Sequence, residues 1–259
     1  MCRLAAYLGP AIPLQQLLLE PPHSLYRQSW EPRELTYAKL NADGYGFGWY
    51  GPDDKPAIYT SALPIWSDSN LPHLARSLSQ PLWLAEVRSA TPGTPVHQFN
   101  TAPFLDDTLL YVHNGFIREF HRQVLQHINA MLEPDIAADI NGNTDSEYLF
   151  ACLRQLLADD PGLSIPAALE RLFELLADWA GDHPALMNFV ITDGQRLYAT
   201  RHGFNHECPS LYYTTDDELF PGGQVIASEC LTGDSFWSPV PEHHILILDP
   251  EKPPELQAL

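Results

Sequence analysis

The sequence predicts an α+β fold in which helices pack on antiparallel sheet. Three observations predict it. Short strand-like runs lie on both sides of the middle of the chain. Two amphipathic helical stretches sit between them. The later strands follow one another at the short spacing of an antiparallel sheet.

The elements follow in order. "LWLAEVRSA" (82–90) and "LLYVHNG" (109–115) read as strands, and a weaker helical pattern covers 119–132. In "NTDSEYLFACLRQLLAD", Thr144 and Glu147 make a capping-box pattern. Tyr148, Leu149, Cys152, Leu153, Leu156 and Leu157 then share one helical face. "SIPAALERLFELLADWAG" repeats the logic: Ser164 caps, Leu169, Leu172, Phe173, Leu176 and Trp179 form the stripe, and Gly181 stops the helix. "LMNFVITD" (186–193) and "QRLYATRH" (195–202) flank Asp193-Gly194, a hairpin signal. "LYYTT" (211–215), "QVIASE" (224–229) and "HHILIL" (243–248) complete the strand series. No internal repeat or flexible linker interrupts the chain, and its 24 prolines punctuate loops.

Composition narrows the function classes. At 259 residues the chain is one large domain or two small ones, enough for a substantial core. No apolar run reaches the roughly 18–20 residues that span a bilayer. "PAIPLQQLLLEPP" is broken by prolines and follows a single early positive charge, Arg3, so no secretory pattern is present. A cytoplasmic protein is expected. The net charge of −19, from 14 Lys+Arg against 33 Asp+Glu, repels phosphate backbones and anionic lipids. Nucleic acid and membrane are therefore not expected as partners. Cys2, Cys152, Cys208 and Cys230 are widely spaced and read as free thiols.

Five motifs carry possible chemistry, and each also has a structural reading. Cys2 follows Met1. Trimming of the methionine would put a thiol and an α-amine on one residue, a nucleophile and a base together; chance placement is the alternative. "NADGYGFGWY" (41–50) has glycines at alternating positions, which signals close backbone approach or a bulge, or else a turn entering a strand. In "EVRSAT" (86–91), Arg88 offers a planar fork for a carboxylate, or a surface ion pair. In "YVHNGFI", Asn114 and Gly115 present two donors to an oxyanion, or form a type I′ turn. Asp145 either complements a helix dipole or binds an ammonium. "RHGFNHEC" sets His202, His206 and Cys208 at H-x3-H-x-C spacing, but no fourth ligand is evident and no metal is expected. His243 and His244 open an apolar strand and read as structural.

Taken together, the N-terminal Cys, N-A-D-G-x-G-x-G, R-x-A-T, H-N-G and T-D-S-E occur in this order across the first 150 residues. This combination resembles the class II, N-terminal-nucleophile (Ntn) glutamine amidotransferases. Within that class it resembles the stand-alone group that includes the γ-glutamyl amidohydrolase of ergothioneine biosynthesis. Looser likenesses support that group: "MCRLAAYLG", "LNADGYGFGWY", "VRSAT" and "ASECLTGDSFWSPVPEHHILIL". The resemblance implies a four-layer αββα sandwich of two antiparallel sheets flanked by helices, as a single domain over 2–259. It implies Cys2 as nucleophile, its α-amine as base, and Asn114 with Gly115 as oxyanion hole. It places Arg88 on the substrate α-carboxylate with Thr91 beside it, Asp145 on the α-ammonium, His113 in the substrate site, and 41–48 near the nucleophile. The expected partner is a small γ-glutamyl substrate, without cofactor.

Two departures bear on the substrate. Glucosamine-synthase-type relatives carry R-W-A-T-H-G where this chain has Arg88-Ser89-Ala90-Thr91-Pro92-Gly93. Their N-x-H-P-F reads Asn100-Thr101-Ala102-Pro103-Phe104 here. Both changes alter the pocket rim and point away from free glutamine. No ammonia-using domain is expected in cis, so either a separate synthetase receives ammonia or hydrolysis is the purpose.

Overall fold

The computed structural model describes residues 2–35, 39–91 and 93–259. The chain runs β1 (Arg3–Pro13), α1 (Leu14–Leu18), α2 (Leu25–Gln28), β2 (Tyr45–Tyr50), β3 (Pro56–Ser61), α3 (Leu71–Ser77) and β4 (Ser79–Val87). Then come β5 (Phe104–Leu105), β6 (Leu110–Ile117), α4 (Phe120–Gln123), α5 (Leu125–Met131), α6 (Pro134–Ala138), α7 (Asp145–Asp159) and α8 (Ile165–Ala180). The last third is β7 (Ala185–Thr192), β8 (Leu197–Phe204), β9 (Tyr212–Thr214), β10 (Gln224–Ala227), β11 (Ser238–Pro239), β12 (His244–Asp249) and β13 (Lys252–Ala258).

The strands form two antiparallel sheets. The first has the order β11-β9-β10-β1-β4-β2-β3 and the second β13-β12-β8-β7-β6-β5. Alternation along each strand builds the layers. Leu4, Ala6 and Leu8 of β1 and Leu82 and Leu84 of β4 face Leu110 and Val112 of β6 and Val190 of β7 between the sheets. The opposite faces pack under helices. Ala5, Tyr7, Trp83 and Ala85 meet Leu14, Leu17 and Leu71 from α1 and α3. Tyr111, Phe189 and Ile191 meet Leu149, Leu153, Leu172 and Leu176 from α7 and α8. This is the αββα sandwich. Among the described residues no helix is long and apolar enough to cross a membrane.

Several expectations meet the structure directly. The side chain of Thr144 accepts from Glu147 N–H, and that of Ser164 from Ala167 N–H. Gly181 ends α8 at φ +54°. The capping box is not reciprocal, because Glu147 turns instead to the N–H groups of Asn141 and Gly142. The weak helix at 119–132 is two short helices, α4 and α5. Asn114-Gly115 is not a turn: both residues pair with Asn188 and Met187 inside β6. Gly46 confirms close backbone approach, since a Cβ there would overlap the carbonyl of Ala102. The strand β1 escaped the sequence reading. It is central and buried on both faces near its start, so its apolar residues show no alternation.

Candidate active site

Cys2 stands at the entry to β1, half-buried, with Sγ 3.9 Å from the carbonyl of Ser89. The register of β1 against β4 sets Leu4 opposite Glu86 and Arg3 opposite Val87. Side chains two apart share a face, so Cys2 lies on the inter-sheet face with Glu86 and Arg88. Burial, and then the nearby Glu86 carboxylate, push the Cys2 thiol up to about 12. A thiol so placed needs a base to become a nucleophile.

Arg3 points to the other face and anchors the strand entry. Its Nε donates to the Cys2 carbonyl at 2.7 Å, and its Nη1 pairs with Glu229 at 3.2 Å. Glu229 also bonds His23 and accepts from the N–H groups of Arg33 and Glu34. Burial raises the Glu229 carboxyl, but the His23 bond, the Arg33 N–H and Arg3 hold it below the ordinary range.

Arg88 is 4% exposed. Its guanidinium donates to the carbonyls of Asp43 and Pro95 at 3.3–3.5 Å. These bonds aim the fork and leave capacity for a carboxylate. The 41–48 segment clasps this strand end: Asp43 N–H bonds Arg88 O, Arg88 N–H bonds Gly44 O, and Asp43 Oδ2 accepts from Ala90 N–H. The segment thus braces the site from behind.

The far wall comes from β6 and the start of α7. Asp145 Oδ2 accepts from Ile117 N–H at 2.9 Å and Oδ1 from Ser146 N–H. Oδ1 also lies 3.5 Å from Ser146 Oγ, and Oδ2 keeps a lone pair for a ligand. His113 bonds Ser146 Oγ through Nδ1 and the Leu186 carbonyl through Nε2. The carbonyl fixes the proton on Nε2. Burial lowers the His113 pKa, with Asp145 opposing, so the ring is neutral. Gly115 is required here, because a Cβ would overlap the carbonyl of Leu186.

Cys2, Glu86, Arg88, Thr91, His113, Gly115 and Asp145 line one cleft. Asn114 does not reach its wall. It is fully buried behind it, with Nδ2 donating to Ser228 Oγ at 3.3 Å and Oδ1 without a partner among the described residues. The cleft shares Thr91, Thr94, Thr144 and Asp145 with a neighbouring cavity of about 400 Å³, which also holds His121 and Arg122. The sequence reading missed Glu86, although strand alternation sets it in phase with Leu82 and Leu84, where a carboxylate is out of place. It also missed the Arg3–Glu229–His23 network.

The H-x3-H-x-C spacing does not make a ligand set. His202 Nδ1 faces His243 Nδ1 at 3.2 Å, and His206 Nδ1 meets the Glu207 carbonyl. The donor atoms of Cys208 instead lie with those of Glu242 and His243, and Glu242 is already paired with Arg201.

Residues 23–220 match the sequence pattern of the class II glutamine amidotransferases. The chain is 31% identical over 246 residues to the γ-glutamyl-hercynylcysteine sulfoxide hydrolase of Mycolicibacterium smegmatis, covering 95% of each. It is 29% identical to the probable glutamine amidotransferase DUG3 of Saccharomyces cerevisiae, covering 96% of this chain and 82% of the yeast protein. Among solved structures it resembles a class II glutamine aminotransferase-domain protein from Silicibacter pomeroyi, with TM-score 0.73, 25% identity and 99% of each chain covered. The chain thus belongs to the class II glutamine amidotransferase family and is an amidohydrolase of that family.

Proposed function

We propose that the mature chain, with Met1 removed, hydrolyses a γ-glutamyl amide through a thioester on Cys2, and that 2–259 acts as one amidotransferase domain. Met1 lies outside the described residues. The observation that carries the reading is the convergence of a thiol, a guanidinium and a carboxylate on one cleft: Cys2, Arg88 and Asp145. Arg88 pairs with the substrate α-carboxylate, flanked by Thr91, and Asp145 accepts the α-ammonium. The γ-carbonyl then comes to Sγ.

A thiol near 12 is not ionised at neutral pH. The α-amine of Cys2, ordinarily near 7.7–8.0, takes its proton as sulfur attacks. The oxyanion rests on the Gly115 N–H, with Asn114 buried behind it. The ammonium returns its proton to the leaving nitrogen, the C–N bond breaks, and water cleaves the thioester to glutamate. His113, bonded at both nitrogens, shapes the substrate wall. The leaving group points into the cavity that Thr91, Thr94, Thr144 and Asp145 share with the cleft.

The substrate we propose is γ-glutamyl-hercynylcysteine sulfoxide, supported by the mycobacterial relative. The yeast relative favours a second reading, in which glutamine is hydrolysed and ammonia passes to a separate synthetase. Glutamate release from the sulfoxide conjugate and from glutamine distinguishes them. We expect faster release from the conjugate, without a partner, and none from Cys2→Ala. Hydrolysis of glutamine alone, stimulated by a partner protein, would replace this substrate assignment.

A further inference from the structure

Glu86 has no role in the steps above, and its position calls for one. It faces the inter-sheet layer opposite Leu4, in phase with the aliphatic Leu82 and Leu84. It is 3% exposed, and among the described residues its Oε2 has no hydrogen-bond partner. A buried unpartnered carboxylate oxygen is costly to keep. An apolar side chain here would simply extend the core. Instead the carboxyl lines the cleft with Cys2, its diagonal cross-strand neighbour, whose thiol hydrogen-bonds it and leaves Oε2 free.

The charged and titratable groups around Glu86 are few. Arg88 lies two residues along β4 and spends bonds on the Asp43 and Pro95 carbonyls. Cys2 lies on β1. Across the cleft stand His113 of β6 and Asp145 of α7, and Tyr111 of β6 is within electrostatic reach. On its other side Glu86 pairs with Gly46 of β2, which carries no ionisable group.

We propose that Glu86 is a positioning residue for the nucleophile: its free carboxylate oxygen accepts a hydrogen bond from the α-ammonium of mature Cys2 and holds that group between thiol and leaving nitrogen. The inference rests on Cys2 being the nucleophile. The proton moves from Sγ to the α-nitrogen and on to the departing amine. Glu86 gains and loses no covalent bond. Its charge favours the ammonium and disfavours the thiolate, so the thiol keeps its proton until it attacks. Burial, opposed by Cys2 and Arg88, places the carboxyl at about 7, so this support strengthens across neutrality.

The test compares mature wild type with Glu86→Gln across mildly acidic to mildly alkaline pH. Alkylation of Cys2 by iodoacetamide needs no turnover. Loss of the neighbouring charge is expected to move its pH profile to lower pH. Turnover of a γ-glutamyl amide is expected to lose about ten- to a hundredfold in kcat, with KM little changed and the acid limb at lower pH. Superimposable profiles for the two proteins would overturn the proposal. A second measurement needs no variant: with ¹³C-carboxyl-labelled glutamate, one resonance of the wild type should titrate near neutrality and shift when Cys2 is alkylated. Its absence would also overturn the proposal. A shifted alkylation profile in Glu86→Gln, together with a wild type that hydrolyses no γ-glutamyl amide, would support the Glu86 coupling and remove the hydrolase reading alone.

Discussion

At the scale of single residues, the site is a set of buried polar groups whose environments decide their states. Glu86 gives a prediction in stability as well as rate. Burial, offset in part by Cys2 and Arg88, moves its carboxyl from the 4.5 of a free glutamate to about 7. Between those values the folded chain holds a proton that the unfolded chain has lost. The stability from this group is fully present below about 4.5 and is lost as pH rises through about 7. Glu86→Gln is therefore expected to be more stable than wild type near pH 8, by at most about 3 kcal/mol, because the contact with the Cys2 α-ammonium offsets part of the burial cost. Near pH 4 the difference should largely vanish. Urea unfolding at both pH values measures it; a difference independent of pH would contradict the assigned burial. Cys2, Arg88 and Asp145 were legible as candidates because each chemistry needs its residue type. Glu86 was overlooked: it falls in phase with Leu82 and Leu84, but the other face, Trp83, Ala85 and Val87, is equally apolar, so alternation alone does not mark which face lines a site.

At the scale of elements, the site depends on where strands and helices begin. Asp145 faces the cleft because α7 starts there. Thr144 fixes that start by accepting from Glu147 N–H, while the Glu147 carboxylate gathers the Asn141 and Gly142 N–H groups. Thr144→Ala is expected to destabilise the protein by about 1 kcal/mol. It should raise KM for the γ-glutamyl substrate more than it lowers kcat, because the ammonium contact loosens. Thermal unfolding and steady-state kinetics read the two effects, and an unchanged KM would separate the cap from the site. Both long helices were legible from caps and stripes. The strand β1 was not, because burial on both faces removes the period-two signal. Asn114-Gly115 misleads for a related reason. A dipeptide favoured in turns sits in mid-strand because β7 supplies its pairing, which no local pattern reveals.

At the scale of the whole molecule, one buried network joins segments far apart in the chain. Arg3 reaches the Cys2 carbonyl and Glu229; Glu229 reaches His23 and the backbone of Arg33 and Glu34. It thereby ties β1 to the end of β10 and to the loop after α2. Glu229→Gln leaves Arg3 buried without its counter-charge, at an expected cost of about 3–5 kcal/mol. Chemical denaturation checks this, and a loss below 1 kcal/mol would mean that the network relaxes onto water. The α+β class was legible from strand and helix patterning, and the four-layer arrangement only through the family resemblance. This network was not, because its members span more than 200 positions.

The central claim is that Cys2, as a free N-terminal residue, attacks a γ-glutamyl carbonyl. Its most direct test is the intact mass and peptide map of purified protein after reaction with 6-diazo-5-oxo-norleucine, a glutamine-like alkylating agent, with Cys2→Ala alongside. The account predicts loss of Met1 and a single adduct on Cys2, absent from the variant. An adduct on Cys152, Cys208 or Cys230, or none on a chain that begins at Cys2, would contradict it.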